Sequence, residues 1–345
     1  MNIISDVNNA KIGVVGAGSW GTALANLLGN KGFKVDFWVF EKEIKEQIEK
    51  FCENKVFLPD IVLSSNISPS NDIADVVKGK DLVLIVVPSH VMRETAIKIS
   101  GLIDKNTIIV SASKGIENGT HLTMTGVLKE CIKNVSEDNF AVLSGPSFAK
   151  EVAKSFPTAV TVASKNPDVA AFVQHLFATP FFRVYTSDDM IGVELGGAVK
   201  NVIAIAAGII DGLDLGLNTR AALITRGLAE IKRLGLVMGA KPETFTGLAG
   251  VGDLVLTCTG DLSRNHAVGK KIGQNKKLKE ILSEMRMVAE GIKTTKSVYN
   301  LSEKLGVEMP ITQEIYSILY EDVSPKEAVL RLMTRDLKQE VDEQR

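Results

Sequence analysis

The sequence predicts an α/β protein: a doubly wound parallel sheet over residues 1–187, followed by a mostly α-helical domain over residues 188–345. Three observations carry that reading. The segment KIGVVGAGSWGTALANLLGN runs from a short apolar strand through a glycine turn into a helix. Apolar strand runs then alternate with helical stretches as far as Thr186. Beyond Asp188 the apolar spacing becomes helical and β-branched runs thin out.

The elements follow in order. Residues 11–15 read as a strand, and residues 22–30 continue as a helix. Between them Gly16 allows a tight turn, Gly18 lets backbone N–H groups approach a pyrophosphate, and Gly21 lets the helix pack closely on the strand. This is the Rossmann-type dinucleotide fingerprint in its proper setting, with phosphates expected at a helix N-terminus where unpaired N–H groups and the dipole favour negative charge. Residues 34–39 read as a second strand and residues 41–53 as a charged surface helix. The run DLVLIVV at 81–87 is apolar throughout after Asp81, as a central parallel strand covered on both faces requires, and residues 91–103 form its return helix. Further strands are expected at 107–111, 140–143 and 158–163. In the second domain, helices are expected at 193–210, 219–238, 242–248, 276–285, 294–305 and 310–319. Pro242, Pro310 and Pro325 stand where helices begin, where a missing N–H costs nothing.

Bulk properties narrow the class. A chain of 345 residues exceeds what one hydrophobic core usually serves, which agrees with two domains and a cleft between them. The net charge of −1 points to neither nucleic acid nor a membrane surface. The odd, widely spaced cysteines (Cys52, Cys131, Cys258) fit a reducing compartment, and the four histidines are scattered, so no metal site is expected. Residues 1–10 lack the basic start and apolar run of a signal peptide, and the apolar run at 202–210 is about half the ~20 residues a bilayer span needs. A cytoplasmic enzyme is expected.

The chemistry concentrates in loops at the carboxyl ends of strands, where open α/β sheets bind ligands. VPSH at 87–90, SASKG at 111–115 and SGPSF at 144–148 each follow a strand. Lys114 is placed at the cleft, where a fixed cation can hold a substrate oxygen or phosphate; the alternative is a loop lysine in water. Lys200 stands in a helix of small apolar residues. Burial there disfavours the ammonium and would suit proton exchange with a hydroxyl, unless the stem alone is buried and the amine reaches water. In the glycine-rich GLAGVGDLVLTC, Asp253 can bond a substrate hydroxyl or orient a lysine. Arg264 offers a planar fork for phosphate, flanked by Ser263 and Asn265, although a plain capped helix would give the same pattern.

Together, GAGSWGTALA, VPSH, SASKGIE, SGPSFAKEV, GGAVKNVIAIAAGIIDGLDLGLNTRAALITRGLAE, GLAGVGDLVLTCTGDLSRN and VAEGIKTT closely resemble the NAD(P)-dependent glycerol-3-phosphate dehydrogenases. The match spans residues 11–332. The resemblance implies interconversion of dihydroxyacetone phosphate and sn-glycerol 3-phosphate by hydride transfer at C2, and a role in supplying phospholipid synthesis. It implies Lys200 as proton donor and acceptor, with Lys114 and Asp253 beside it. It implies substrate contacts from Lys114, Gly145, Ser147, Asp253, Ser263, Arg264 and Asn265. Cofactor contacts implied are Gly16, Gly18, Ser19, Trp20, Gly21, Lys114, Ala149, Arg264, Val288 and Glu290, with Phe57 as an aromatic near the cofactor. A homodimer, no metal, and no nucleic-acid or membrane partner are also implied.

One departure bears on the cofactor. Bacterial members commonly carry a basic residue after the second strand, whereas Trp38-Val39-Phe40-Glu41 resembles the eukaryotic, NAD-dependent members. Glu41 can accept from a ribose 2′-OH and repels a 2′-phosphate, and Phe40 can cover the adenine. NAD is therefore the expected cofactor, with Lys42 leaving NADP open. The rival readings are a sister dehydrogenase acting on 3-hydroxyisobutyrate or 6-phosphogluconate, and a non-catalytic nucleotide sensor. The GGAVKN and GVGDL…SRN segments argue against the first, and Lys114, Lys200 and Arg264 against the second.

Overall fold

A computed structural model describes residues 7–285 and 289–340. In chain order the first half holds β1 (Ile12–Val15), α1 (Ser19–Asn30), β2 (Val35–Trp38), α2 (Lys42–Phe51), the hairpin β3 (Glu53–Asn54) and β4 (Leu58–Val62), then β5 (Ile67–Ser70) and α3 (Ile73–Val77). It continues with β6 (Leu82–Ile85), α4 (Met92–Ser100), β7 (Ile108–Ser111), α5 (Met124–Cys131), β8 (Phe140–Ser144), α6 (Ala149–Ala153), β9 (Thr158–Ser164), α7 (Pro167–Phe177) and β10 (Phe182–Ser187). Among the described residues the main sheet has eight strands in the order β10-β9-β8-β7-β6-β1-β2-β5. The strands from β5 to β8 are mutually parallel; β9 pairs antiparallel with β8, and β10 runs parallel to β9. β1 therefore lies where the winding reverses, between β2 and β6, and the crevice opens beyond its carboxyl end.

β1, β6, β7 and β8 are buried at every residue, as expected for strands covered on both faces. The hairpin β3–β4 and two strands of the main sheet escape the sequence pattern. β5, ISPS, carries a proline and two serines, which an edge strand tolerates. β10 alternates buried and exposed residues at the opposite edge. The run at 158–163 is a strand but an antiparallel one, because only the short α6 and its flanking turns separate it from β8, too little for a full crossover.

The second half holds α8 (Met190–Gly212), α9 (Gly216–Val237), α10 (Asp253–Thr259), α11 (Arg264–Gly273), α12 (Leu278–Ser283), α13 (Glu290–Leu305), α14 (Pro310–Tyr320) and α15 (Pro325–Met333). Residues 242–248 do not form the expected α-helix: Pro242–Thr246 is a single 3₁₀ stretch, and a π-turn over Leu248–Gly252 leads into α10. By length and composition α8 is apolar enough to cross a bilayer, yet its most apolar stretch is wholly buried in protein. It is the axis of the helical half. Gly197 lets it press on the sheet's carboxyl edge, since a Cβ there would lie 2.5 Å from Ser144 Oγ, and Gly196 lets it press on the π-turn, since a Cβ there would lie 2.2 Å from the Ala249 carbonyl oxygen. α11 packs against α8 just as closely: a Cβ at Gly208 would meet the His266 carbonyl oxygen at 2.0 Å, and one at Gly269 the Ile205 carbonyl oxygen at 2.0 Å.

Candidate active site

The glycine turn after β1 has the conformation its sequence requires. Gly16 has φ +113°, a region that side-chain-bearing residues rarely adopt, and its N–H donates to the Trp38 carbonyl. A Cβ on Gly21 would lie 1.9 Å from the Gly16 carbonyl oxygen, so the first turn of α1 sits directly on the loop. Gly18 is different: among the described residues nothing beyond its chain neighbours lies within 4 Å of where its Cβ would be, and as the N-cap of α1 it makes no side-chain capping bond. The absent side chain leaves room for a ligand at a helix N-terminus rather than for packing, and a dinucleotide pyrophosphate fits that space. The Trp20 indole N–H is buried and has no hydrogen-bond partner among the described residues. Asn54, which the sequence reading passed over, braces the turn: its amide donates to the Ala17 carbonyl (3.0 Å) and to Thr22 Oγ1 (2.9 Å). It also accepts from the Phe57 N–H, so partly buried Phe57 is carried by the hairpin that supports the glycine loop.

Beyond β2, Phe40 is 71% exposed and meets Trp38 edge-on, its ring centroid 6.0 Å away. Glu41 occupies the N-cap of α2, yet its side chain makes no capping bond, so the carboxylate is not committed to the helix. Ala149 begins α6, partly buried against the same core that holds Trp20. Val288 lies outside the described residues.

Across the crevice the two lysines converge on one carboxylate. Asp253, fully buried at the start of α10, accepts from Lys114 Nζ through Oδ2 at 2.7 Å and from Lys200 Nζ through Oδ1. Lys200 also donates to Thr257 Oγ1 at 2.8 Å, and Thr257 donates to the Asp253 carbonyl. The amine of Lys200 thus does not snorkel to water: the residue is 5% exposed, held inside by a carboxylate and a hydroxyl one helical turn apart. Burial pushes its pKa down to about 7; Asp253 opposes that shift and the Lys114 charge adds to it. Lys114 remains partly accessible and also donates to the Gly145 carbonyl, which Ser147 Oγ binds too, at 3.0 Å. Lys114, Gly145, Ser147, Lys200 and Asp253 are therefore one contiguous group at the carboxyl edge of β7 and β8.

The Ser263–Asn265 segment lies at the N-terminus of α11. Ser263 Oγ caps that helix by accepting from the His266 N–H. Asn265 donates to Asn201 Oδ1 (2.9 Å) and accepts from the Gly291 N–H (3.0 Å), tying α11 to the residue after Lys200 and to α13. Arg264 stands on the same turn, its pKa lowered by desolvation, with nearby Glu290 opposing that shift. Asn201 and Thr257 were not singled out from sequence. The signals were adjacency to Lys200 for one and the i+4 spacing from Asp253 for the other. Among the described residues no group of three or more His, Cys, Asp or Glu side chains forms a metal site.

The model of the NAD-dependent glycerol-3-phosphate dehydrogenase N-terminus matches residues 11–170, and that of its C-terminus matches residues 189–330. The chain belongs to the NAD-dependent glycerol-3-phosphate dehydrogenase family. A relative from Geobacter sulfurreducens named glycerol-3-phosphate dehydrogenase (NAD(P)+) is 57% identical over 330 residues, covering 96% of this chain and 98% of its own. The Syntrophobacter fumaroxidans protein of the same name is 54% identical over 331 residues, covering 96% of this chain and 97% of its own. Among solved structures, the glycerol-3-phosphate dehydrogenase of Coxiella burnetii superposes with TM-score 0.91 at 43% identity, covering 95% of this chain and 99% of that one. That of Saccharomyces cerevisiae superposes with TM-score 0.80 at 29% identity over 93% of this chain and 98% of that one. This glycerol-3-phosphate dehydrogenase family member is an NAD(P)-dependent oxidoreductase.

Proposed function

We propose that this chain interconverts dihydroxyacetone phosphate and sn-glycerol 3-phosphate, with NAD preferred over NADP and Lys200 exchanging the proton. The observation that carries the reading is the meeting of Lys114, Lys200 and Asp253 in the crevice beside the dinucleotide turn. The cofactor, when bound, supplies the hydride acceptor or donor. In oxidation, neutral Lys200 takes the proton of the C2 hydroxyl; in reduction, its ammonium returns one to the carbonyl oxygen. A pKa near 7 lets one amine serve both directions. Asp253 holds both lysines in place, and Lys114 presents a cation to the substrate oxygen. Arg264, Ser263 and Asn265 grip the phosphate end, so that binding energy far from C2 fixes its orientation.

The uncommitted carboxylate of Glu41 supports the NAD preference, since it accepts from a 2′-OH and repels a phosphate. We further read residues 1–187 as the cofactor domain and residues 188–345 as the substrate domain. The enzyme acts in the cytoplasm, as the free, widely spaced thiols of Cys52, Cys131 and Cys258 suit, and it works as a homodimer supplying phospholipid synthesis.

The test is oxidation of NADH and NADPH in parallel with dihydroxyacetone phosphate, using the native chain and Lys200→Ala. The native chain should turn over with a higher kcat/KM for NADH, and the variant should bind NADH while losing at least about 10²-fold in kcat. Near-native turnover by the variant overturns the role of Lys200, and equal or reversed cofactor ratios overturn that of Glu41.

A further inference from the structure

We propose that Ser89 is a positioning residue for the cofactor site, acting through Glu290. The inference rests on the proposed reaction only in taking the crevice for the dinucleotide site.

Ser89 follows β6, directly beside the reversal of the sheet's winding, whereas Glu290 opens α13 in the helical half. The Ser89 hydroxyl donates to Glu290 Oε2 at 2.5 Å, joining residues 201 positions apart. Ser89 itself is 5% exposed and held from both sides. Next to it, Ser113 Oγ donates to the Val87 carbonyl at 2.7 Å, fastening the loop after β6 to the loop that carries Lys114. Gly115 closes the arrangement: a Cβ there would lie 2.5 Å from Ser89 Cβ, 2.8 Å from Ser89 Oγ and 3.8 Å from Glu290 Oε2. The position after Lys114 thus has no side chain where the serine–glutamate bond needs the space.

Glu290 also faces cations. Its charge acts on Arg264 of α11 and on His90, whose own pKa is lowered by burial and by Lys293, with Glu290 opposing. The carboxylate is therefore surrounded by the loop after β6, the Lys114 loop, the Arg264 turn and its own helix. Without an anchor, the exposed Arg264 would draw it from the dinucleotide side. Ser89 supplies a neutral, buried donor that fixes one oxygen and leaves the other available. In doing so it fixes the approach of the two halves at the mouth of the crevice. The sequence reading placed Glu290 among the cofactor contacts and gave Ser89 no role.

The experiment measures NADH affinity by fluorescence titration without substrate, so that it stands whether or not the reaction assignment does. Ser89→Ala should weaken NADH binding by about 3- to 10-fold, the loss of one charge-assisted hydrogen bond. Its kcat with saturating NADH should stay within about twofold of native. Glu290→Gln and the double variant Ser89→Ala/Glu290→Gln should bind NADH equally, because the serine acts only through the carboxylate. Thermal melting of each variant separates loss of fold from loss of affinity. Unchanged NADH affinity in Ser89→Ala, or additive losses in the double variant, overturns the proposal. Weakened NADH binding with no turnover of dihydroxyacetone phosphate in the native chain leaves Ser89's role standing and overturns the substrate assignment instead.

Discussion

Lys200 is the residue at which burial and charge are most finely opposed. Its amine is sealed among α8, α10 and the carboxyl edge of the sheet, where burial lowers its pKa to about 7 and Asp253 opposes that shift. The direction of the pH dependence follows. Reduction needs the ammonium, so its rate should fall as pH rises through about 7; oxidation needs the free amine and should rise over the same range. Asp253→Asn removes the charge that raises this pKa, so the falling limb for reduction should move to lower pH. Rate profiles of the native chain and the variant against pH check this, and a limb that stays put or moves to higher pH refutes the assignment of the titrating group to Lys200.

At the scale of elements, the pairing of α8 with α11 sets the distance between the Lys200 amine and the Arg264 turn. Two observations make that distance stiff: the Asn201–Asn265 hydrogen bond, and contacts so close that glycine alone fits. A Cβ at position 269 would meet backbone on the facing helix, the Ile205 oxygen at 2.0 Å and the Ile209 nitrogen at 3.0 Å, and backbone cannot rotate away as a side chain can. Gly269→Ala should therefore part the helices, costing about 1–3 kcal/mol of stability and lowering Tm by several degrees. The KM for dihydroxyacetone phosphate should rise more than the KM for NADH, because α11 carries Arg264 while the glycine turn belongs to α1. Steady-state kinetics with each substrate varied in turn decide it; equal rises in both constants, or none, show that the helix spacing does not govern the phosphate end.

For the molecule as a whole, buried carboxylates make folding pH-dependent. Glu230, inside α9, caps α14 by accepting from the Ile311 and Thr312 N–H groups and from Thr312 Oγ1, yet desolvation still raises its pKa from 4.5 to about 7. The folded chain thus holds a proton that the unfolded chain releases. Stability from this source is present below pH 4.5 and is lost as pH rises through about 7, on the order of 3 kcal/mol in all. Glu194, buried between α8 and α5 and bonded to the Thr125 N–H and hydroxyl, shifts in the same direction. Glu230→Gln should flatten the decline between pH 5 and 8 while leaving the share that Glu194 contributes. Urea denaturation at steps across that range measures it, and an unchanged slope would mean that Glu230 is ionised throughout.

The sequence by itself determined the dinucleotide turn, the apolar central strands and the change to helices after Thr186, and it singled out Lys114, Lys200 and Asp253, which the fold brings together. These are local matters: a glycine where φ must be positive, an apolar run where both faces are covered, a proline where a helix begins. What only the tertiary structure decided is how side chains far apart in the chain share partners. Asp253 stood in the sequence as a group for a substrate hydroxyl or a lysine; folding showed it holding two lysines at once, one 139 positions away and one 53. Lys200 carried no mark distinguishing a buried amine from a snorkelling one, because that depends on α10 closing over α8. The edge strand at 67–70 was hidden because an edge needs no apolar pattern. The antiparallel turn of 158–163 was hidden because strand direction follows from how much chain is available to cross back. Periodicity reports which face of an element is covered, and only the assembled chain settles what covers it.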